Sequence, residues 1–214
     1  LTHTPGVHEK TLADDAQDEM SYGQALRRYV YSNPYMWLVT FANFFVYTIR
    51  YSFLNWAPTF LTQSKGIQIT HAGWITAGFE FAGMTGAVFA GIASDRFFGG
   101  KPVRVAMFSS IACGLTILLF WHLPQSSELV SAILIATVGF FIYIPQCLIG
   151  IAAAELAAER AAAAAVGLTG LFGYASTILS GFGLGYLVDH HGWPAGFLAL
   201  TAVAGAAALC FAAA

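Results

Sequence analysis

From Tyr35 onward the chain is a succession of long apolar stretches broken by short polar or turn-rich connectors. The apolar stretches cover residues 35–60, 72–93, 103–122, 129–152, 163–187 and 195–214. About 20 mainly apolar residues, each rising about 1.5 Å, cross the hydrocarbon core of a bilayer as a helix. Barrel strands would instead show segments of about 10 residues with strict in–out alternation. The pattern therefore predicts six transmembrane helices, joined through residues 62–66, 94–102, 122–127, 153–160 and 189–194. Residues 1–28 differ in kind. Glu9, Lys10, Asp14, Asp15, Asp18, Glu19, Arg27 and Arg28 stand there among few large apolar side chains. That composition predicts a solvated loop, with residues 1–30 as a cytoplasmic segment ahead of a bundle at 31–214. It is not a signal peptide, because acids rather than Lys/Arg lead and no apolar run follows at once.

Composition agrees with the pattern. Of 214 residues, 57% are hydrophobic and 9% are charged, whereas a soluble domain carries about 25% charged residues. The chain is expected to be an all-α integral membrane protein rather than a soluble enzyme. Nine Lys+Arg against eleven Asp+Glu leave no basic footprint for nucleic acid. Cys113, Cys147 and Cys210 each lie inside an apolar run, with neither disulfide nor metal spacing, and read as small buried hydrophobes. Numbering the spans from a cytoplasmic start places Lys10, Arg27, Arg28, Arg96, Lys101, Arg104 and Arg160 on one side and only Lys65 on the other. The positive-inside rule then puts both ends of the chain in the cytoplasm. A start at Leu1 and a stop within the helical run Phe211-Ala-Ala-Ala suggest a piece of a longer carrier.

Two charges fall inside spans. Arg50 is far from both Arg28 and Lys65, and a charge at mid-bilayer costs about 2.5–3.5 kcal/mol on insertion scales. Asn43, Tyr47 and Arg50, spaced i, i+4 and i+7, share one helical face. That face suits an anion reached from a watery cavity, since the planar guanidinium donates two parallel hydrogen bonds and keeps its charge. The alternative is a structural pair with Glu80 on the next span. For Glu80, a role in substrate-linked switching and static pairing are equally open. Gly78, Ala82, Gly86 and Ala90 form a small-residue stripe on the same helix, suited to close packing, and Glu80 lies off it.

On the fourth span Gly139, Tyr143, Gln146 and Gly150 share a face, and Pro145 interrupts the helical hydrogen bonding. The fifth span carries one face of Thr169, Gly173, Ser176 and Ser180, and another of Gly170, Tyr174, Thr177 and Gly181. Either face is a packing surface or the wall of a polar pocket. The six histidines lie in the leading segment or at span ends and read as solvated or interfacial. No nucleophile elbow, phosphate-binding glycine loop or zinc motif stands out, so no catalytic residue, metal or cofactor is expected.

The connector Gly91-Ile-Ala-Ser-Asp95-Arg96-Phe-Phe-Gly-Gly100-Lys101 resembles the G-x-x-x-D-R-x-x-G-[RK] loop of the major facilitator superfamily, with one extra residue before the glycine–lysine pair. Five further segments narrow the likeness: Phe45-Val-Tyr47-Thr-Ile-Arg50-Tyr51, Asn55-Trp56-Ala-Pro58-Thr59, Phe141-Ile-Tyr143-Ile-Pro145-Gln146, Gly167-Leu-Thr-Gly-Leu-Phe-Gly-Tyr174 and Gly185-Tyr-Leu-Val-Asp189-His-His-Gly192-Trp193. Together they resemble the organophosphate:phosphate antiporter family over about residues 27–214, corresponding to the C-terminal six-helix half of a twelve-helix carrier.

The resemblance implies a bacterial inner-membrane carrier that exchanges a phosphate ester, glycerol 3-phosphate being expected, for inorganic phosphate by rocker-switch alternating access. Its partners would be those solutes, the lipid bilayer and an N-terminal six-helix half. Arg50 occupies the position of one of two arginines that grip the phosphate, with Tyr47, Glu80, Tyr143 and Tyr174 near the cavity. Gly91, Asp95, Arg96 and Lys101 would belong to the loop that holds the cytoplasmic gate, their charges exchanging hydrogen bonds at the membrane surface. The pattern is broken at Asn55, where glycerol 3-phosphate carriers have Asp, and at Val166 and Thr169, where hexose-phosphate carriers have Asp and Lys. A membrane sensor of sugar phosphate, and a phosphoglycerate or hexose-phosphate carrier, are the alternative readings.

Overall fold

The computed structural model describes residues 21–123, 127–157 and 159–214, and they are almost wholly helical. Helix α1 runs Pro34–Lys65, α2 Ile69–Phe97, α3 Pro102–His122 and α4 Glu128–Leu156. Helix α5, Ala162–Ile178, passes through a π-helical turn at Leu179–Gly183 into α6, Leu184–Ala213. Gly192 (φ 76°, ψ 174°) breaks the helical path inside α6. The fifth span therefore ends just before Gly192 and the sixth begins just after it, giving the six spans that the apolar pattern predicts.

Four helical runs among the described residues are apolar and long enough to cross a membrane: Ile69–Phe97, Pro102–His122, Glu128–Leu156 and the 55-residue run Glu159–Ala213 that Gly192 divides. Helix α1 falls outside that group because Asn43, Tyr47, Thr48, Arg50, Ser52 and Asn55 interrupt its apolar surface.

The termini follow ordinary capping chemistry. Asn33 accepts a hydrogen bond from the Tyr35 amide at 3.0 Å, and Pro34 opens α1 where no N–H is needed. Gly66 ends the helix in the left-handed conformation, φ 66°. Ser127 caps α4 through the Val130 amide. The helices overrun the expected connectors: α1 continues to Lys65 and α4 to Leu156, because polar residues at a helix end lose nothing by staying helical in the interfacial layer. The expected loop at 1–30 is corrected in its last part. Tyr22–Ala25 form a helical turn that runs into a π-helix at Leu26–Tyr31. Ala25 and Val30 are buried there, on the side turned toward the bundle. Residues 1–20, with His3 and His8, lie outside the described residues.

Successive spans alternate in direction, so Lys65, His71, His122 and Glu128 collect at one end and Arg96, Lys101, Arg104 and Arg160 at the other. At the Lys65 end an aromatic cluster ties α1, α3 and α6 together. Phe60 meets Phe120, Trp193 and Phe197 edge-on at centroid distances of 5.5, 5.0 and 4.8 Å. Lys65 lies over the Phe120 ring at 4.9 Å and donates to the Leu123 carbonyl at 3.2 Å and the Ser131 hydroxyl at 3.0 Å. Partial burial lowers its pKa from the ordinary value. His71 and Glu128 meet at 2.9 Å between the starts of α2 and α4.

Helices α2 and α4 pack more closely than ordinary side chains permit. A Cβ on Gly86 would stand 2.2 Å from the Phe140 carbonyl oxygen, and one on Gly139 would stand 2.2 Å from the Phe79 carbonyl oxygen. The contact is reciprocal, glycine of each helix against backbone of the other. The expected stripe is rotated as a result. Gly83 and Gly86 make the contact, while Gly78 has open space where its Cβ would be. Among the cysteines, Cys113 is buried but Cys147 is exposed, contrary to expectation. In a bilayer protein apolar surroundings do not imply burial inside the bundle, since lipid supplies them as well.

Gly86→Ala and Gly139→Ala should each push the helices apart and destabilise the protein by about 1–3 kcal/mol. Gly150→Ala, where a Cβ meets nothing within 4 Å, should be near neutral. Thermal unfolding of the purified variants in detergent measures the difference.

Candidate functional site

Arg50 stands about halfway along the 32 residues of α1. Its guanidinium Nη2 donates to the Tyr143 hydroxyl of α4 at 2.7 Å and lies 3.5 Å from Glu80 Oε2 of α2. The Tyr143 hydroxyl in turn donates to the same Glu80 oxygen. The guanidinium carbon lies 4.7 Å from the Tyr143 ring centroid and 5.7 Å from that of Tyr51. Three helices thus close a cation, a phenol and a carboxylate into one cluster. The side chains of Arg50 and Glu80 are 19% and 34% exposed, so the pair is neither sealed in the core nor left in open solvent.

This arrangement meets the cost of a mid-bilayer charge. An isolated guanidinium or carboxylate in low dielectric is strongly unfavourable, whereas a paired and hydrogen-bonded one is tolerated. Glycine makes the closure possible, for a Cβ on Gly83 would overlap the Tyr143 ring, at 2.4 Å from its edge. Polar capacity is left over. Arg50 Nε, Glu80 Oε1 and Gln146 Oε1 are buried without a hydrogen-bond partner.

Tyr47 lies one turn from Arg50 on α1, its ring 5.8 Å from that of Tyr51 and 5.8 Å from that of Tyr174 on α5. Gln146 lies beside the Tyr47 phenol, near enough to act on it. Tyr174 is 63% exposed, presenting an uncovered phenol beside the cluster. The structure therefore brings Arg50, Glu80, Tyr143, Tyr47, Gln146 and Tyr174 to one face, drawn from α1, α2, α4 and α5.

Asn43 stands apart from that group in its bonding. It is buried, and its amide donates to the Thr169 carbonyl at 2.6 Å. A Cβ on Gly173 would stand 2.8 Å from the Asn43 amide nitrogen and 3.2 Å from the Tyr47 ring, so α5 comes close enough only through glycine. The two faces of α5 divide accordingly. Thr169, Gly173, Ser176 and Ser180 are buried, while Tyr174 is exposed and Gly170, Thr177 and Gly181 are half-buried.

A second strap was not evident in the sequence. Trp56 Nε1 donates to the Ser180 carbonyl at 2.9 Å, in the π-helical turn. π-Helical winding leaves the ordinary i to i−4 pattern there, and Trp56 satisfies a carbonyl of the turn. Gly185 gives the indole room, since its Cβ would lie 2.9 Å from that ring. A Trp opposite a glycine-rich stretch is the one available sequence signal, and it names no partner.

At the opposite end from Lys65, Gly91, Asp95, Arg96 and Lys101 are all exposed around the end of α2. Among the described residues no ion pair joins Asp95 to Arg96 or Lys101. The charge exchange expected within this loop is absent, because each side chain reaches water without a partner.

The sequence profile described as Major Facilitator Superfamily matches residues 23–214. The chain is 36% identical over 194 residues to the glycerol-3-phosphate transporter of Bacillus subtilis (strain 168), covering 90% of this chain and 44% of the relative. It is 34% identical over 186 residues to the membrane sensor protein UhpC of Escherichia coli (strain K12), covering 87% and 42%. A phosphoglycerate transporter protein of Salmonella typhimurium is 31% identical, covering 86% and 40%. The chain thus spans less than half the length of these relatives. Long apolar helical spans and the profile match agree: the chain is an integral membrane protein and belongs to the Major Facilitator Superfamily.

Proposed function

We propose that the chain forms the C-terminal six-helix half of a secondary carrier that exchanges a phosphate ester, glycerol 3-phosphate first among them, for inorganic phosphate. The observation that carries this reading is the guanidinium of Arg50, held mid-span by Glu80 and Tyr143 with its Nε unpartnered. A second six-helix half would supply the other cation for a doubly negative phosphate. Both ends of this chain would face the cytoplasm, and the loop at Gly91–Lys101 would help to close that side.

The mechanism follows from competition for one cation. In the arrangement described, Arg50 is balanced by Glu80 through Tyr143. A phosphate entering the cavity offers oxygen acceptors to the guanidinium, and its charge repels the Glu80 carboxylate. The Tyr143 hydroxyl can then turn from one acceptor toward the other. Such a ligand drives a conformational change only through its different affinity for the two states. Arg50 and its partners provide that difference, since an anion engaging the unpartnered Nε draws the guanidinium away from Glu80. Exchange of ester for phosphate then needs no ATP, because either anion returns the cavity to the same charge state. This is carrier chemistry, and no residue acts on a covalent bond.

The likeness to a sensor protein, nearly as strong as that to a transporter, favours a second reading in which the same site binds a sugar phosphate and signals.

Arg50→Lys in the full-length protein should lower phosphate exchange roughly 10–100-fold, since a point charge replaces a two-pronged donor. Exchange near the unmodified rate in reconstituted vesicles removes Arg50 from the central role. Tyr143→Phe should destabilise the purified protein by about 1–3 kcal/mol, because the charge pair loses its shared hydroxyl. Thermal unfolding in detergent measures that change. Counterflow of labelled phosphate separates the two readings: a carrier gives flux, whereas a sensor gives saturable binding with little flux.

A further inference from the structure

Asn43 Oδ1, Ser52 Oγ, Glu80 Oε1 and Gln146 Oε1 are all buried near Arg50 without a partner. Of these side chains Gln146 shares a helix face with Tyr143, which donates to Glu80 and accepts from Arg50. Gln146 lies three residues beyond Tyr143 on α4, about 4.5 Å further along the helix axis. Its amide lies beside the Tyr47 phenol, and its Oε1 is buried without a partner. A buried acceptor left unpaired is costly. A glutamine brings two donors and a carbonyl, and here the carbonyl has no partner.

The unpaired atom is a carbonyl, and the sign of that chemistry decides its ligand. Ionised phosphate oxygens are acceptors and cannot satisfy another acceptor. A hydroxyl can. Gln146 shares the α4 face of Tyr143, whose hydroxyl accepts from Arg50, but stands about one helical turn beyond it.

We propose that Gln146 reads a hydroxyl on the carbon arm of the ligand, and so makes the site selective for hydroxylated phosphate esters over esters with a bare alkyl arm. This rests on the phosphate-binding reading of Arg50. In that arrangement Arg50 holds the charged end, and Gln146 with Tyr47 holds the polar end. The pair of alkyl and hydroxylated esters isolates the second contact, because both carry the same phosphate.

The test uses the full-length protein in reconstituted vesicles, with glycerol 3-phosphate and propyl phosphate competing against labelled phosphate uptake. Ligand-induced thermal shifts of the purified protein provide a second readout that needs no flux. The unmodified protein should favour glycerol 3-phosphate by about tenfold, the value of one well-placed hydrogen bond. In Gln146→Met and Gln146→Leu that ratio should fall to about one, whatever the absolute affinities become. In Gln146→Glu, which keeps a carbonyl-type acceptor, the preference should persist. A ratio unchanged in the Met and Leu variants overturns the assignment, as does an unmodified protein that treats the two esters alike. If neither ester competes with phosphate in the unmodified protein, the phosphate-ester reading itself fails.

Discussion

A guanidinium placed midway through a membrane must have partners, and most of the architecture around Arg50 serves that need. Lipid offers no hydrogen bonds and little dielectric screening. The charge is stable there only if another group supplies both, within reach and in fixed geometry. Glu80 supplies the countercharge, and Tyr143 joins the two through its hydroxyl and ring. To bring these side chains together, α2 and α4 must approach until backbone meets backbone. Gly83, Gly86 and Gly139 permit that approach. The glycine contacts and the charge cluster are one device seen at two depths.

The same logic organises α1 against α5. In lipid the hydrophobic effect does not drive one helix onto another, so close packing and interhelical hydrogen bonds must do so. Asn43 donates from α1 to a backbone carbonyl of α5 near Gly173, and Trp56 to one in the π-helical turn after it, near Gly185. Helix α1 is consequently the least apolar of the spans and the most connected to its neighbours through polar atoms. Polar residues that weaken it as an isolated membrane segment are those that hold it in the bundle.

One face of this arrangement combines pairing with openness. Asn43 on the buried side commits its amide N–H to α5 while its Oδ1, like the Oε1 of Gln146, has no partner, and Tyr174 on the other side is uncovered. A site that must hold a ligand and then release it needs such a mixture. Fully paired groups would fix a single state, and fully exposed ones would bind water as well as any solute.

Six spans, their membrane nature, the two intramembrane charges and the family were legible in the residues. Apolar length, the cost of burying charge and short motifs are local properties, written in adjacent positions. The faces of α5 were legible only as a choice, which its packing against α1 resolved. The sequence could not say that the α2 contact would run through Gly83 and Gly86 rather than Gly78. Rotation of a helix about its own axis depends on the neighbour it meets. Nor could it show that Trp56 reaches Ser180, 124 residues away, or that Tyr143 stands between Arg50 and Glu80. Helical periodicity says which residues share a face. Only the tertiary packing decides what that face touches, because hydrogen bonds and close contacts between helices depend on distances set by all six spans together.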